Sequence, residues 1–365
     1  MPEPDTIHID LALQGGGAHG AFTWGVLDRL LEDERLRIDG ISGTSAGAMN
    51  AVVLANGYHG GGRDGARRAL REFWKAVSDS ARFSPLQRTL IDRAAGRWTL
   101  DASPGYQLFE LATSLVSPYQ FNPFDINPLR DLVGAMVDFE KVRACTQLKL
   151  FISATSVRTG RSRTFRREEV SLDVVMASAC LPQVFRAVEV DGEPYWDGGY
   201  TGNPALFPLV EETAAHDLLI VQINPMERKE LPTTSAEIMN RLNEITFNAS
   251  LIGEINTLLL LKDLVTRQNV ELERYASMCL HHISAERQLS PLDVSSKLNV
   301  EWDFLEYLHG IGRDTASGWL DRNFHSLQKC STLDAGALAC AQGGFDIAPG
   351  LRRHLGQAAG EPKAG

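Results

Sequence analysis

Two apolar segments near the N-terminus each run into a turn of small residues and then into a helical pattern. His8 to Gln14 (HIDLALQ) and Ile38 to Ile41 predict strands. Apolar residues recur on one helical face over Ala21 to Leu31, and small residues predict a second helix over Ala46 to Ala55. This alternation is typical of parallel strands joined by crossover helices, so we expect an α/β chain whose central sheet lies between helices.

Two later segments, Leu148 to Ser156 and Asp217 to Ile223, are rich in branched apolar residues and predict further buried strands. Before them, the segment of about 58–128 loses its regular pattern and carries repeated Pro, Phe and Tyr. We interpret it as an insertion over the sheet. It is either a cap for an apolar substrate or a set of packed helices without that role.

The last third of the chain has a different pattern. Apolar residues at three- and four-residue steps from Ile238 to Ile255 predict one long amphipathic helix, and Trp302 to Trp319 predict another. We therefore expect a first domain over 7–224, a mainly helical extension over 225–355 packed on it, and a frayed tail at 356–365.

Charge and cysteine content exclude several classes of function. With 36 Lys and Arg against 46 Asp and Glu, the net charge of −10 argues against a nucleic-acid partner. Five scattered cysteines without a CxxC pair suggest neither a disulfide framework nor a zinc site. The N-terminus lacks the pattern of a secretion signal, and no apolar run is long enough to span a bilayer. These features predict a cytoplasmic protein that meets lipid only from the aqueous side.

Two clusters of basic residues interrupt this acidic composition. One has nine Lys and Arg between residues 61 and 100, and the other has five Arg between residues 158 and 167. Such runs are usually solvated surface. Alternatively, they favour peripheral contact with an anionic membrane surface.

The pentapeptide Gly43-Thr44-Ser45-Ala46-Gly47 lies between a predicted strand and a predicted helix. A nucleophilic serine on a sharp strand-to-helix turn needs small neighbours, which Gly43 and Gly47 supply. The N-terminus of the following helix favours negative charge near Ser45. Ser45 is therefore a candidate nucleophile.

A run of glycines, Gly15-Gly16-Gly17, follows the first strand, and Gly20 follows at the start of the first helix. As G-x-G-x-x-G this segment resembles a dinucleotide fingerprint, which requires an acidic residue at the end of the second strand. That strand ends at the serine turn instead. Consecutive glycine amides also suit an oxyanion hole for acyl transfer, and the presence of Ser45 favours this interpretation.

Asp197 precedes two glycines, Gly198 and Gly199, a combination that is often only a turn. A serine hydroxyl nevertheless needs a base to take its proton. The sequence leaves two candidates for that base: one of nine histidines, or a carboxylate that acts directly.

The segment His59-Gly60-Gly61-Gly62 is similar to the HGGG oxyanion motif of α/β-hydrolase lipases. That motif precedes the serine in such lipases, whereas here it follows Ser45. We therefore interpret it as the glycine stop of a helix and the start of a flexible loop.

In this order and at these separations, the glycine loop, G-x-S-x-G and Asp-Gly-Gly resemble the patatin-like phospholipase family over roughly Ile7 to Gln222. The resemblance implies a three-layer α/β/α patatin-like fold and a Ser-Asp dyad without histidine. It implies Ser45 as nucleophile and Asp197 as general base. The oxyanion amides would come from Gly16 and Gly17, with Gly15 as a third candidate.

The supporting motif glycines are Gly20, Gly43, Gly47, Gly198 and Gly199. The chain departs from the family at His19, where many members have Arg or Lys.

The leading hypothesis is a serine acyl hydrolase that acts on a lipid ester and needs no metal or organic cofactor. Two rivals are enzymes: a histidine-dependent esterase and an acyltransferase. A third is a non-catalytic lipid- or phosphate-binding module. The sequence leaves the oligomeric state open.

Overall fold

The computed structural model describes residues 6–228, 231–268 and 273–333. In these residues eight strands form one mixed, mostly parallel sheet in the order β5-β6-β3-β2-β1-β7-β8, and β4 also pairs with β3. The strands are β1 (Ile7–Leu13), β2 (Leu36–Gly43), β3 (Lys149–Ser156), β4 (Ser162–Arg166), β5 (Val188–Val190), β6 (Glu193–Asp197), β7 (Asp217–Gln222) and β8 (Cys279–Ser284).

Helices cover both faces of the sheet, as the patatin-like α/β/α prediction requires. The helices are α1 (Gly20–Glu32), α2 (Ala46–Ser80), α3 (Leu90–Ala94), α4 (Pro104–Leu115), α5 (Pro118–Phe121), α6 (Pro128–Met136), α7 (Phe139–Ala144), α8 (Leu172–Ser178), α9 (Phe207–Glu212), α10 (Ser235–Gln268), α11 (Glu273–Ser277), α12 (Glu286–Leu289) and α13 (Trp302–Asn323). Three short 3₁₀ turns matter for the site: Gly17–His19, Gly198–Tyr200 and Val294–Leu298.

The four strands predicted from apolar runs are confirmed to within two residues at each end, because these runs are buried on both faces of the sheet. The predicted helices over Ala21 to Leu31 and Trp302 to Trp319 are also confirmed, as α1 and α13. Both carry an apolar face against the core. The short hairpin of β5 and β6 was not predicted.

The glycine run after Tyr58 interrupts the second helix, as the predicted glycine stop requires, but a new helical segment follows directly in place of the predicted loop. Helix α2 therefore consists of two helical segments joined at a kink, where Gly61 and Gly62 leave helical backbone angles, and the second segment ends at Ser80. Gly62 has a φ of 58°, a value that glycine adopts without strain. The helix then resumes because Phe73 and Trp74 are buried against the core.

Strand β3 brings the ends of two other strands together. On one side it pairs with β4, so that Ile152 lies opposite Phe165. On its other side Ile152 pairs with Gly43 at the end of β2, and Ala154 pairs with Asp197 at the end of β6. The carboxyl ends of β2 and β6 therefore face each other, about two residues or ~7 Å apart along β3.

The residues after 225 contribute directly to the core. Strand β8 extends the parallel sheet beside β7, and α13 crosses α1 closely. At this crossing a methyl group added to Gly25 would lie 2.0 Å from the carbonyl oxygen of His309, and one added to Gly312 would lie 2.1 Å from that of Phe22. Glycine is required at both positions because only backbone lies opposite.

The chain up to Thr332 forms one unit of mutual contacts. The predicted division at 224/225 stays a prediction, and the predicted tail at 356–365 and the last part of the extension lie outside the described residues. No helix in the described residues combines the length and apolar character needed to cross a bilayer.

Candidate active site

Ser45 occupies a sharp turn between β2 and α2, and its backbone is left-handed with φ 53° and ψ −119°. Such angles strain a residue with a side chain, and they persist only when the surroundings enforce them. Here the Ser45 amide donates a hydrogen bond to Ser178 Oγ at 3.0 Å, and the Thr44 hydroxyl donates one to the Gly202 carbonyl at 2.6 Å. The turn therefore holds the Ser45 side chain in a fixed direction.

The two glycines of G-x-S-x-G make this turn possible. A methyl group on Gly43 would lie 2.6 Å from the carbonyl oxygen of Gly47, and one on Gly47 would lie 2.1 Å from that of Leu13. Both contacts are with backbone, which cannot move aside. These glycines allow the start of α2 to approach the ends of β1 and β2.

Asp197 is the last residue of β6 and is fully buried. Its Oδ1 accepts the Gly199 amide at 2.7 Å. Its Oδ2 has no hydrogen-bond partner among the described residues. The side chain is thus held by one oxygen, and the other oxygen is free to accept a proton.

The structure brings Ser45 and Asp197 together. Burial raises the pKa of Asp197 to about 7, while the hydrogen bond from the Gly199 amide and the nearby Ser45 hydroxyl act to lower it. The hydroxyl is within reach of the carboxyl group, although within the described residues it makes no hydrogen bond of regular geometry with either oxygen. Catalytic hydrogen bonds commonly tighten only when substrate binds.

Among the three loop glycines, Gly15 has its amide already engaged. That amide donates to Asn203 Oδ1 at 2.7 Å, and its carbonyl accepts from Asn224 Nδ2 at 2.7 Å. A methyl group on Gly15 would lie 2.7 Å from Ser45 Cβ. Gly15 therefore contacts the serine turn directly, and two asparagines fix the loop beside it.

The amides of Gly16 and Gly17 have no hydrogen-bond partner within the described part of the chain. Gly17 has a φ of 61° and begins the 3₁₀ turn that leads into α1. These two amides are therefore the available donors of the loop, next to the N-terminus of a helix, where negative charge is favoured.

The remaining motif glycines are sites of close packing. A methyl group on Gly20 would lie 2.7 Å from Ala46 Cβ, where the starts of α1 and α2 meet. One on Gly198 would lie 2.2 Å from the Ser153 carbonyl oxygen, and one on Gly199 would lie 2.2 Å from the Phe247 ring. Helix α10, which carries Phe247, thus packs directly on the Asp-Gly-Gly turn.

Lys297 is a residue near the site that the sequence analysis missed. It belongs to the 3₁₀ turn Val294–Leu298, and a methyl group on Gly17 would lie 2.5 Å from its carbonyl oxygen. Its ammonium donates to Asn224 Oδ1 at 2.7 Å, so it supports the asparagine that holds Gly15. Burial lowers the pKa of Lys297 to about 8. No sequence motif surrounds it, and only the fold brings it to the loop.

His19 is buried beside the same turn and is neutral at physiological pH. Burial, with the nearby charges of Lys297 and Arg228, lowers its pKa to about 3. Its Nε2 lies 2.8 Å from Ser296 Oγ, and its Nδ1 has no partner among the described residues. Lys297, and not His19, therefore provides positive charge near the loop.

Other histidines bond to groups away from Ser45. His281 contacts Asp217 at 2.8 Å, His282 contacts Gln222 at 2.6 Å, and His309 contacts Asp28 at 3.1 Å. In the described part of the chain, no histidine makes a hydrogen bond with Ser45. Nor do these residues include a group of three His, Cys, Asp or Glu side chains that could hold a metal ion.

Comparison with known proteins gives one family match. A family model described as Patatin-like phospholipase matches residues 11–210, which include every predicted site residue. No curated protein matches the chain significantly.

The solved structures that are similar to the chain include the following two. The crystal structure of VipD from Legionella pneumophila is 15% identical with a TM-score of 0.38, and the match covers 91% of this chain and 72% of that chain. The crystal structure of the type III effector protein ExoU is 15% identical with a TM-score of 0.32, and the match covers 87% of this chain and 53% of that chain.

Proposed function

We propose that this chain, which belongs to the patatin-like phospholipase family, cleaves carboxylic esters of phospholipids or related lipids through a Ser45–Asp197 dyad. Family membership makes it a hydrolase of ester bonds in lipids. The dyad, the oxyanion amides and the lipid class are our proposal.

The reaction starts when Ser45 Oγ attacks the ester carbonyl and Asp197 Oδ2 accepts the hydroxyl proton. The amides of Gly16 and Gly17 donate hydrogen bonds to the tetrahedral oxyanion. When the intermediate collapses, the alcohol leaves with the proton from Asp197, and Ser45 carries the acyl group. Water then attacks the acyl-enzyme, Asp197 accepts its proton and returns it to Ser45 Oγ, and the fatty acid departs.

The observation that carries this proposal is the buried Oδ2 of Asp197, which has no hydrogen-bond partner among the described residues and lies next to a serine on a left-handed turn. Its pKa of about 7 suits a group that must accept and return a proton near neutral pH. The histidine-dependent alternative lacks comparable support, because no histidine in the described residues makes a hydrogen bond with Ser45.

The test combines a fluorophosphonate probe with hydrolysis of a water-soluble ester. Ser45→Ala should abolish labelling and turnover. Asp197→Asn should lower kcat/KM by about 10²- to 10⁴-fold, as expected for loss of a general base. Ser42→Ala is the matched serine control, because Ser42 lies at the end of β2, just before the turn that carries Ser45, and its hydroxyl is buried with no partner among the described residues. Asp191→Asn, exposed in the β5–β6 turn, is the carboxylate control.

Each failure has a distinct meaning. Wild-type rates in Asp197→Asn point to a histidine base, whereas absence of labelling in the wild-type chain points to a binding module. Transfer of the acyl group to an added alcohol in preference to water would identify an acyltransferase.

A further inference from the structure

A long segment of the insertion carries an unusual amount of exposed apolar surface. We call residues 102–126 the apolar arm; it contains α4, α5 and the loops that join and follow them. Of the eighteen large hydrophobic side chains exposed in the described residues, eight lie in this arm. They are Leu108, Leu111, Leu115, Val116, Tyr119, Phe121, Phe124 and Ile126.

Helix α4 shows that this surface is not part of the core. The helix buries none of its residues. Leu108, Leu111 and Leu115 recur at helical spacing on one face and are 68%, 55% and 74% exposed. Monomeric proteins rarely leave such continuous apolar surface uncovered unless it binds something.

The arm also has very little charge. Between Asp101 and Asp125 the only charged side chain is Glu110. The partner that fits this surface must therefore be apolar over a wide area and must not depend on complementary charges.

The arm is attached on both sides of the candidate active site. At its start, the Leu100 amide donates to Ser295 Oγ at 2.9 Å, on the 3₁₀ turn that packs against Gly17. Towards its end, the Ala187 amide donates to the Tyr119 hydroxyl at 3.3 Å.

The segment that contacts the end of the arm, at Arg186 and Ala187, is linked by hydrogen bonds to the proposed catalytic Asp197. The Arg186 guanidinium donates to the Pro123 carbonyl at 2.9 Å. The Arg186 carbonyl accepts from Cys180 Sγ at 2.9 Å, and the Cys180 carbonyl accepts from the Asp197 amide at 2.7 Å. The exposed apolar surface therefore extends from the glycine-loop side of the site to the aspartate side.

The two basic clusters of the sequence, at residues 61–100 and 158–167, are poorly suited to bind anionic lipid, because most of their charges are already paired. Ten of their fourteen side chains make salt bridges with carboxylates. These ten are Arg67, Arg71, Lys75, Arg88, Arg93, Arg97, Arg158, Arg163, Arg166 and Arg167. Contact with a membrane through these clusters would have to break or share those pairs.

We propose that the apolar arm seats the protein on the surface of a phospholipid bilayer by apolar contact and delivers an acyl ester to Ser45. The inference rests on the proposed function, since a lipid substrate is what makes a bilayer the partner of this surface. The side chains of the arm enter the boundary between head groups and acyl chains, and docking does not require anionic lipid.

The experiment measures sedimentation of the full chain with phosphatidylcholine vesicles, using Ser45→Ala as background so that the vesicles stay intact. The combined variant Leu108→Gln, Leu115→Gln, Phe124→Gln should weaken binding by at least about tenfold, because it removes the apolar contact. The matched control is Ile238→Gln, Leu242→Gln, Ile245→Gln on α10, whose side chains are 44%, 51% and 51% exposed. It should bind like its parent.

Two further readouts separate this mechanism from others. Raising the salt from about 0.1 M to about 1 M shortens the screening length to about 3 Å and should leave binding unchanged. With Ser45 intact, the arm variant should hydrolyse a water-soluble ester at the wild-type rate and lose activity on vesicles. That soluble activity also shows that the variant is folded.

Four results overturn the proposal: no binding of the parent to phosphatidylcholine, equal binding by the arm variant, binding that requires phosphatidylserine, or a dimer that the arm variant converts to a monomer. The last result would assign the arm to a second copy of the chain. Failure of the proposed function looks different, because vesicles would then bind normally while no ester is cleaved.

Discussion

At the scale of single residues, the site depends on a buried acid that stays partly protonated near neutral pH. Asp197 is shielded from water, and the Gly199 amide offsets only part of the cost of its charge. Its second oxygen, Oδ2, is also buried and has no hydrogen-bond partner within the described residues. A group in this state is well suited to exchange a proton with Ser45.

The pH dependence of the reaction follows from this. Only ionised Asp197 can accept the serine proton, so kcat/KM for a water-soluble ester should rise with pH through a midpoint near 7, before the separate decline above about pH 8 that deprotonation of Lys297 predicts. Rates measured from about pH 5 to about pH 9 would test this. A midpoint near 4, the ordinary value for Asp, would contradict the burial argument.

Gly15 offers a test of the contact between the glycine loop and the nucleophile. In Gly15→Ala the new methyl group would lie 2.7 Å from both Ser45 Cβ and the Thr44 carbonyl oxygen. The serine must move, and a displacement of about 1 Å can cost on the order of 10²-fold in rate. The measurement is kcat/KM, with thermal unfolding as a check on folding.

The control for Gly15 is Gly60→Ala, because an added methyl group there meets no atom within 4 Å. It should keep full activity. If Gly15→Ala kept it as well, the loop would not constrain Ser45.

Sequence reasoning at this scale found the residues that occur in short motifs. Ser45, Asp197 and the loop glycines are recognisable because sharp turns and close approach restrict the neighbouring residue types. Asn203, Asn224 and Lys297 come from three distant segments, and nothing in their local sequence indicates that they meet at the loop. Their roles depend on hydrogen bonds across the fold.

At the scale of secondary structure, the packing of turns and helices controls the site. The turn Val294–Leu298 holds a half-buried lysine, whose ammonium is shielded from water, against the turn Gly17–His19. A buried ammonium is unfavourable unless other groups compensate it. Its retention beside the glycine loop therefore indicates that it positions Asn224 and, through it, Gly15.

Lys297→Met should separate this role from a structural one. The apolar side chain avoids the cost of burying a charge, so the free energy of unfolding should stay equal or rise. Activity should fall by about tenfold, the equivalent of 1.4 kcal/mol, because Asn224 loses its donor. Wild-type activity should also decline above about pH 8 as Lys297 deprotonates, and Lys297→Met should lack this decline.

Denaturant unfolding and a pH–rate profile provide the two measurements for Lys297. Lys297→Arg is the charge-preserving comparison and should recover part of the activity. A loss of stability that matches the loss of activity would assign Lys297 a purely structural role.

The close crossing of α1 and α13 predicts that two glycines of α13 have opposite effects on the free energy of unfolding when each is replaced by alanine. Gly312→Ala places a methyl group 2.1 Å from the Phe22 carbonyl oxygen and should destabilise by about 1–3 kcal/mol or more. Gly310→Ala meets no atom within 4 Å and should stabilise by about 0.5–1 kcal/mol, because alanine favours a helix. Urea unfolding midpoints measure both, and equal values would contradict the close crossing.

Regular elements were predictable where burial imposes a continuous apolar run, as in β1 and β7, or a periodic apolar face, as in α13. The break in α2 at Gly61 and Gly62 was predictable from local glycine preference, whereas the immediate start of a second helical segment in place of a loop depends on the packing of Phe73 and Trp74 against the core. For a similar reason, the sequence did not predict that the carboxyl ends of β2 and β6 face each other. Their relation depends on β3, which lies more than a hundred residues from β2 in the sequence.

At the scale of the whole molecule, a second buried acid lies within β1 and outside the candidate site. Asp10 is 1% exposed on β1, where the Thr213 hydroxyl donates to its Oδ2 and Oδ1 has no partner among the described residues. Burial raises its pKa to about 8. Nothing in the reaction uses this group, so its effect is on stability.

The sign of that effect can be worked out. Unfolded Asp10 loses its proton near pH 4, and folded Asp10 keeps it to about pH 8, so its contribution to the free energy of unfolding falls as the pH rises between these values. Asp10→Asn removes this titration while keeping an acceptor for Thr213. Its stability relative to wild type should therefore increase from about pH 5 to about pH 8.

Denaturant unfolding at several pH values tests this, with exposed Asp191→Asn as the control. A stability difference that does not change with pH would show that Asp10 titrates normally.

The family match ends at residue 210, yet later residues complete both the sheet and the site. Phe247 packs on the Asp-Gly-Gly turn, and Lys297 lies against Gly17. The motifs alone therefore predicted the candidate site residues but not the later part of the chain that packs around them. We expect substitutions after residue 225 to alter catalysis without changing a motif.

The end-to-end meeting of β2 and β6 along β3 makes turnover a sensitive reporter of strand alignment. A slip of β6 by one residue would carry Asp197 about 3.3 Å along β3 and turn its side chain to the opposite face of the sheet. The hairpin has only three paired positions with β3 to prevent this. A small error in strand pairing would thus leave the helix content measured by spectroscopy unchanged. It would be detected first as a loss of enzymatic activity.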